Sequence, residues 1–355
     1  MERRTFLESA TGLLGTSALA GCLDALGLQT QSAWRSPPLV KNRPNAVYYP
    51  AVTEGMAMYG MKKTDECVFA LMYSYPHRLW VITGDRTNKV VVEADDSLHL
   101  MASVWDRKTA TILPTSVSME VRKNGETVDS RSPWPMLSPT MGFHYGDNVS
   151  LDGEGNYTAR VSAKPMQSKR FGALDGVLTE TQTVDIPFEF DTNEVYGLPI
   201  RRFKEKAGTI GAPALQDMNM EMPRGVAPSK SDLPGRVVGE ATHGKGHAEY
   251  VVTVLEDAVG ANGPYLAVSA RTPFNHIILP LMSVSATLTR NGTKLFDGPL
   301  RSAVGPKTKF HYGTAVDSVE SGDVLEISIQ APPQTARHDG YETAFIDMPD
   351  VRVTL

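Results

Sequence analysis

The chain has 355 residues and a formal charge of −5, with 35 Lys and Arg against 40 Asp and Glu. The basic residues are scattered rather than striped, which argues against a nucleic-acid partner, and no apolar run beyond the leader is long enough to span a bilayer. With only two cysteines, one of them in the leader, an intramolecular disulfide is excluded and the fold must rest on its core.

In chain order, residues 1–22 read as an address. Arg3-Arg4-Thr5-Phe6-Leu7 is a twin-arginine pattern, and Leu19-Ala20-Gly21-Cys22 has the form of a lipobox, with Cys22 the lipidated first mature residue. The expected location is extracytoplasmic, lipid-anchored to the outer face of the cell membrane. Residues 23–45 have tether composition, with Pro37-Pro38. From Ala46 on, β-branched and aromatic runs alternate with turn signals. Leu79-Trp80-Val81-Ile82-Thr83 and Ser116-Val117-Ser118-Met119-Glu120-Val121 are examples, the latter followed by the hairpin dipeptide Asn124-Gly125. Cys67 lies in such an apolar run and reads as a small buried hydrophobe. Residues 193–234 read as a Met- and Pro-containing linker with room for one short helix. They include Met218, Met220 and Met222, which suit either an exposed thioether strip or docking on a surface.

A second passage then repeats the first. Ile112-Leu113-Pro114, Asn124-Gly125 and Phe143-His144-Tyr145-Gly146 return in order as Ile278-Leu279-Pro280, Asn291-Gly292 and Phe310-His311-Tyr312-Gly313. Two units of this length can each bury a core. The predicted class is all-β, with two tandem immunoglobulin-like β-sandwiches over 46–192 and 235–355.

The first copy concentrates His and Met. His77 follows Pro76. His99 and Met101 are two apart on a strand and share a face. Met136, Met141 and His144 flank the Phe-His-Tyr-Gly turn, and Met56 and Met58 lie on the first strand. Imidazole with thioether makes a borderline-to-soft site for copper or iron, whereas Ca²⁺ or Mg²⁺ would need clustered carboxylates. Counting across the repeat, His99 falls on Tyr265 and Met101 on Ala267, while His144 keeps its counterpart His311. The second copy is therefore read as degenerate for metal. His144 and His311 also suit a structural role in the turn. No nucleophile elbow, Gly-rich phosphate loop or His-Glu-x-x-His helix is present, so no enzyme is expected.

At His99-Leu100-Met101 and Met136…Met141-Gly142-Phe143-His144-Tyr145-Gly146-Asp147-Asn148 the sequence resembles the periplasmic high-affinity iron transport proteins. It resembles still more the haloarchaeal twin-arginine lipoproteins labelled as iron transporters. The resemblance covers 46–163. It implies an immunoglobulin-like sandwich, often a homodimer, that binds copper and serves iron uptake beside an iron permease. It matches His99 and His144 to the family's histidines and puts Met136 within about one residue of its methionine. Two positions depart: Met101 stands for the family's Glu and Met141 for its Asp, which favours a softer ion. The expected metal set is His99, Met101, His144, Met141, Met136, Met56 and Met58. The expected partners are the membrane through Cys22 and an iron permease. The competing reading is a surface interaction module without metal.

Overall fold

The computed structural model describes residues 37–216, 222–256 and 263–355. The leader with Cys22, the tether up to Ser36, and Met218 and Met220 lie outside the described residues. Strand is the dominant regular structure of the described residues, with very little helix. The first half forms β1 (Val52–Glu54), β2 (Met56–Lys63), β3 (Cys67–Ser74), β4 (Leu79–Thr83), β5 (Arg86–Val90), β6 (Leu98–Asp106), β7 (Val117–Lys123), β8 (Glu126–Arg131), β9 (Trp134–Ser138), β10 (Gly142–Val149), β11 (Gly155–Ala163), β12 (Lys169–Arg170), β13 (Gln182–Phe190) and β14 (Ile200–Arg202). The second forms β15 (Arg236–Thr242), β16 (Glu249–Leu255), β17 (Tyr265–Arg271), β18 (Ser283–Arg290), β19 (Thr293–Gly305), β20 (Lys309–Ala315), β21 (Val324–Ala331), β22 (Ala336–Arg337) and β23 (Val351–Thr354). The one short α-helix among the described residues is Thr192–Tyr196, capped by the Asp191 side chain on the Asn193 N–H. No described helix is long and apolar enough to cross a membrane.

The first half is a sandwich. One sheet has the order β13-β11-β7-β8, the other β2-β3-β6-β10-β9-β22-β4-β5. Strands β7, β11 and β13 alternate buried with exposed or half-buried residues, as a one-sided sheet should. Strands β3 and β6 are buried at every position, so the larger sheet is covered on both faces. In the second half β19 turns the corner between layers. Its first part pairs with β18 and its last with β20. One apolar cluster runs through both halves, from Val47 to Val353.

The repeated landmarks have local reasons. Asn124 and Gly125 have φ of 54° and 87°, and Asn291 and Gly292 of 49° and 80°, the doubly positive pair of a tight hairpin turn. The Tyr145 hydroxyl donates to Thr115 O at 2.8 Å and accepts from Thr115 N at 2.7 Å. The Tyr312 hydroxyl does the same work, donating to Leu279 O and accepting from Met282 N, both at 2.9 Å. Each tyrosine thus pins the backbone at the Ile-Leu-Pro landmark to the Phe-His-Tyr-Gly strand.

The halves also exchange strands. β22, from the second half, inserts between β9 and β4 of the first, parallel to β9 with Ala336 opposite Met136. Reciprocally, β12 of the first half pairs parallel with β19 of the second, with Lys169 opposite Ala303. Described residues between 193 and 234 join this packing: β14 pairs with β1, Arg224 O accepts from Phe143 N, and Gly225 O accepts from Ile278 N. Residues 37–45 lie against the turn after β22, through an Arg43–Glu342 ion pair and a Thr343 Oγ1 bond to Pro44 O.

Candidate metal centre

The register of the larger sheet sets the site. Asn148 on β10 lies opposite His99 on β6, Gly146 opposite Met101, and Met136 on β9 opposite His144. These residues share one face of the sheet. Gly146 is required there. A Cβ on it would sit 2.4 Å from His99 Nε2 and 2.9 Å from Met136 Sδ, so both donors converge on the bare Cα.

Two histidines complete the arrangement. His77 lies in the loop before β4, and His338 directly follows β22, its N–H donating to Leu137 O. The ring of His77 lies 4.1 Å from that of His99 and 4.5 Å from that of His338, and His144 lies 5.5 Å from His338. One ligand nitrogen each from His77, His99 and His338 lie within 4.8 Å of one another, the one such group of His, Cys, Asp or Glu among the described residues. Binding at metal–nitrogen distances of roughly 2.0–2.1 Å would draw the rings together by about 1 Å.

The imidazoles are oriented for this. His77 Nδ1 donates to Tyr75 O at 2.9 Å and His144 Nδ1 to Gly142 O at 3.3 Å. His99 Nδ1 donates to Asn148 Oδ1 at 2.9 Å, and the Asn148 amide donates to His77 O at 3.0 Å, so one side chain fixes two histidines. With Nδ1 carrying the proton, Nε2 presents its lone pair. Nε2 of His77, His99, His144 and His338 is buried in each case without a hydrogen-bond partner among the described residues. Each such orphan costs about 1–3 kcal/mol, a cost that a bound cation would remove. Burial pushes His77 and His144 down to about 4. Burial, then the neighbouring imidazoles, hold His99 and His338 well below the usual histidine range. All four are neutral at pH 7, the form that binds a metal.

A clamp joins the two inserted histidines. Arg78, next to His77, makes a bidentate pair with Asp339, next to His338: Nε to Oδ1 at 3.2 Å and Nη2 to Oδ2 at 2.6 Å. Beside it lies a cavity of about 20 Å³ lined by His77, His338, Met141, Glu54, Thr140 and Asp339 among others, room for about one water. Glu54 is raised to about 7 by burial and then by Asp339.

Of the residues expected from sequence, His99, His144 and Met136 come together. Met141 lines the adjoining cavity. Met101 shares the His99 face, as its spacing predicts, but stands beside Met72 in the apolar core. Met56 and Met58 are half-buried on β2, two strands from β6, roughly 10 Å away, and pack against that core. Sequence reasoning noted His77 without assigning it and missed His338. The repeat held the signal: Ala336-Arg337-His338 continues the match as Lys169-Arg170-Phe171.

The all-β fold and the converging imidazoles define a β-sandwich protein with a centre placed to hold a transition metal. Residues 90–195 match the family model described as Fe2+ transport protein, and residues 231–354 match a domain of unknown function (DUF7350). Solved structures similar to this chain include a copper-bound variant of FetP from uropathogenic Escherichia coli, at 19% identity and TM-score 0.30 over 38% of this chain and 92% of that one. They also include a copper-bound variant of Campylobacter jejuni P19, at 19% identity and TM-score 0.30 over 38% and 97%. No curated protein matches the chain.

Proposed function

We propose that this protein is a metal-binding accessory of iron uptake, held outside the cytoplasm by lipid on Cys22, that captures a transition metal and passes it to an iron permease. The observation that carries the reading is the set of four buried, neutral imidazoles whose Nε2 atoms have no hydrogen-bond partner among the described residues. An iron-transport family match over β6, β9 and β10, which carry His99, Met136 and His144, supports it. His99, His338, His77 and His144 would hold the ion, with Met136 as a thioether donor, and the Glu54-lined cavity would give its approach. Anchoring keeps the site near the permease and raises its effective concentration there.

The test is elemental analysis of the full chain, purified without affinity histidines and loaded in turn with Cu(I), Cu(II), Fe(II) and Zn(II). About one tightly held ion per chain, lost in His99→Ala, is the expected result. No retained metal under any loading sinks the proposal.

A further inference from the structure

The four imidazoles are closed off from solvent. His77, His99, His144 and His338 are 4%, 0%, 2% and 6% exposed. The cavity that reaches two of them, His77 and His338, has room for about one water, too little for a cation with its hydration shell. An ion that enters or leaves by this route needs one wall of the cavity to move.

Most of that wall is fixed. Val52, Thr53 and Glu54 belong to β1, which pairs with β14. His77 is held by Tyr75 O and by Asn148. The turn from Ser138 to Met141 is tied by Ser138 Oγ, which accepts from Met141 N at 3.2 Å. His338 follows β22, and Asp339 is gripped by Arg78. Pro37 is different. It is buried against the cavity but belongs to no sheet. A proline has no N–H to give, so its carbonyl is its one hydrogen-bonding group, and this accepts from Arg78 Nη1 at 2.5 Å. Residues 38–42 are exposed or half-buried, with neither strand nor helix. Val40 rests over Gly208, where a Cβ would come within 2.8 Å of Val40 Cγ1. Firm attachment begins after them. Arg43 pairs with Glu342 at 2.9 Å, Thr343 Oγ1 donates to Pro44 O at 2.8 Å, and Tyr48 N donates to Gly340 O at 3.1 Å.

We infer that residues 37–42 form a strap that shuts the metal centre, with Pro37 as its plug, Arg78 as its catch and Arg43-Pro44 as its hinge. The inference rests on the metal-binding reading above. Arg78 suits the part because it adjoins His77, grips the residue after His338 and donates to the strap. When the strap lifts, Arg78 keeps its carboxylate partner and turns Nη1 to water, so opening leaves no buried charge alone. The imidazoles stay where they are. The strap thereby sets how fast an ion is captured and released, while the donors set how tightly it is held.

The test uses the full chain as wild type, as Pro37→Gly, and as a variant whose residues 37–42 are replaced by an equal run of glycine and serine. None of these changes touches a ligand, the Arg78–Asp339 pair or the hinge. The metal-free proteins are labelled with diethylpyrocarbonate, which modifies accessible neutral imidazoles, and the rate at each histidine is read by mass spectrometry. His77 and His338 should label slowly in wild type and at least about tenfold faster in the glycine-serine variant, the scale of losing one hydrogen bond to a charged donor. Pro37→Gly should fall between. His311, equally buried in the other half, should not change. After loading with Cu(I), transfer to a chromophoric chelator should quicken in the same order while equilibrium affinity stays the same. Unchanged labelling at His77 and His338, or equal acceleration at His311, would overturn the inference, as would an affinity that falls in step with the faster transfer. Labelling as expected in a chain that retains no copper would keep the strap and end the metal-binding reading.

Discussion

The two halves present the same cradle, and only one of them is dressed for metal. In the first, His99, His144, Met136 and His338 meet around Gly146. In the second, the matching strands place Tyr265, His311, Ala303 and Phe171 around Gly313, where a Cβ would sit 2.5 Å from the Tyr265 hydroxyl oxygen. His311 keeps the local pattern of His144, with Nδ1 on Lys309 O at 3.1 Å and an unpartnered Nε2. Phe171 lies 6.0 Å from the His311 ring and 5.1 Å from that of Tyr265, so two carbocyclic rings occupy the space that imidazoles hold in the other half. The shared histidine belongs to the fold. The converging lone pairs were added, or kept, in one copy alone.

The sharpest way to break this contrast is to remove a converging ligand. His99→Ala or His338→Ala should weaken metal binding by more than about 100-fold, beyond the 10–100-fold that ligand-orienting neighbours command. Equilibrium dialysis checks this, and undiminished affinity in either variant would dissolve the assigned centre.

Acid should come next. Five buried histidines titrate far below an unfolded histidine: His77, His144 and His311 at about 4, with His99 and His338 lower still by direction. Their native pKa values are depressed, so the unfolded chain binds more protons and stability falls as pH drops. The loss begins near pH 6.5 and continues towards pH 4, at about 1.4 kcal/mol per histidine per pH unit. Denaturant melts of the metal-free protein between pH 7 and 4 measure it, and a flat profile would contradict the burial.

A smaller effect is expected at the clamp. Asp339→Asn leaves every ligand in place but frees Arg78, and should cost about tenfold in metal affinity with little change in stoichiometry. The least change is expected at the shared histidine. His311→Ala should lower stability by about 0.5–3 kcal/mol and leave metal stoichiometry untouched. Loss of an equivalent of metal there would show that the second cradle is not degenerate.

Much of this was readable in the chain because it is local. The Asn-Gly hairpins, the alternation of β7 and β11, and the repeated Tyr-to-backbone pins follow from dipeptides and period-two patterns. So did His99, His144 and Met136, which sit on adjacent strands of one sheet. His338 was not readable in the same way. It arrives on a two-residue strand, too short to show a period, that crosses from the other half. His77 sits in a loop whose position is set by Asn148, 71 residues away. Met101 illustrates the converse limit: its face was right, but the row in which it stands decides between ligand and core, and row is set by register.

The insertion of β22 also orders events in time. The gap between β9 and β4 is filled by a strand from far along the chain, and the Arg78–Asp339 contact spans 261 positions. Contacts of such separation form late and slowly. Until Ala336 arrives, the first half carries two facing unpaired strand edges and an incomplete set of histidines. A chain cut short before that point would be sticky and unable to hold metal as the finished protein does. The keystone strand thereby makes metal retention a readout of whether β22 has docked.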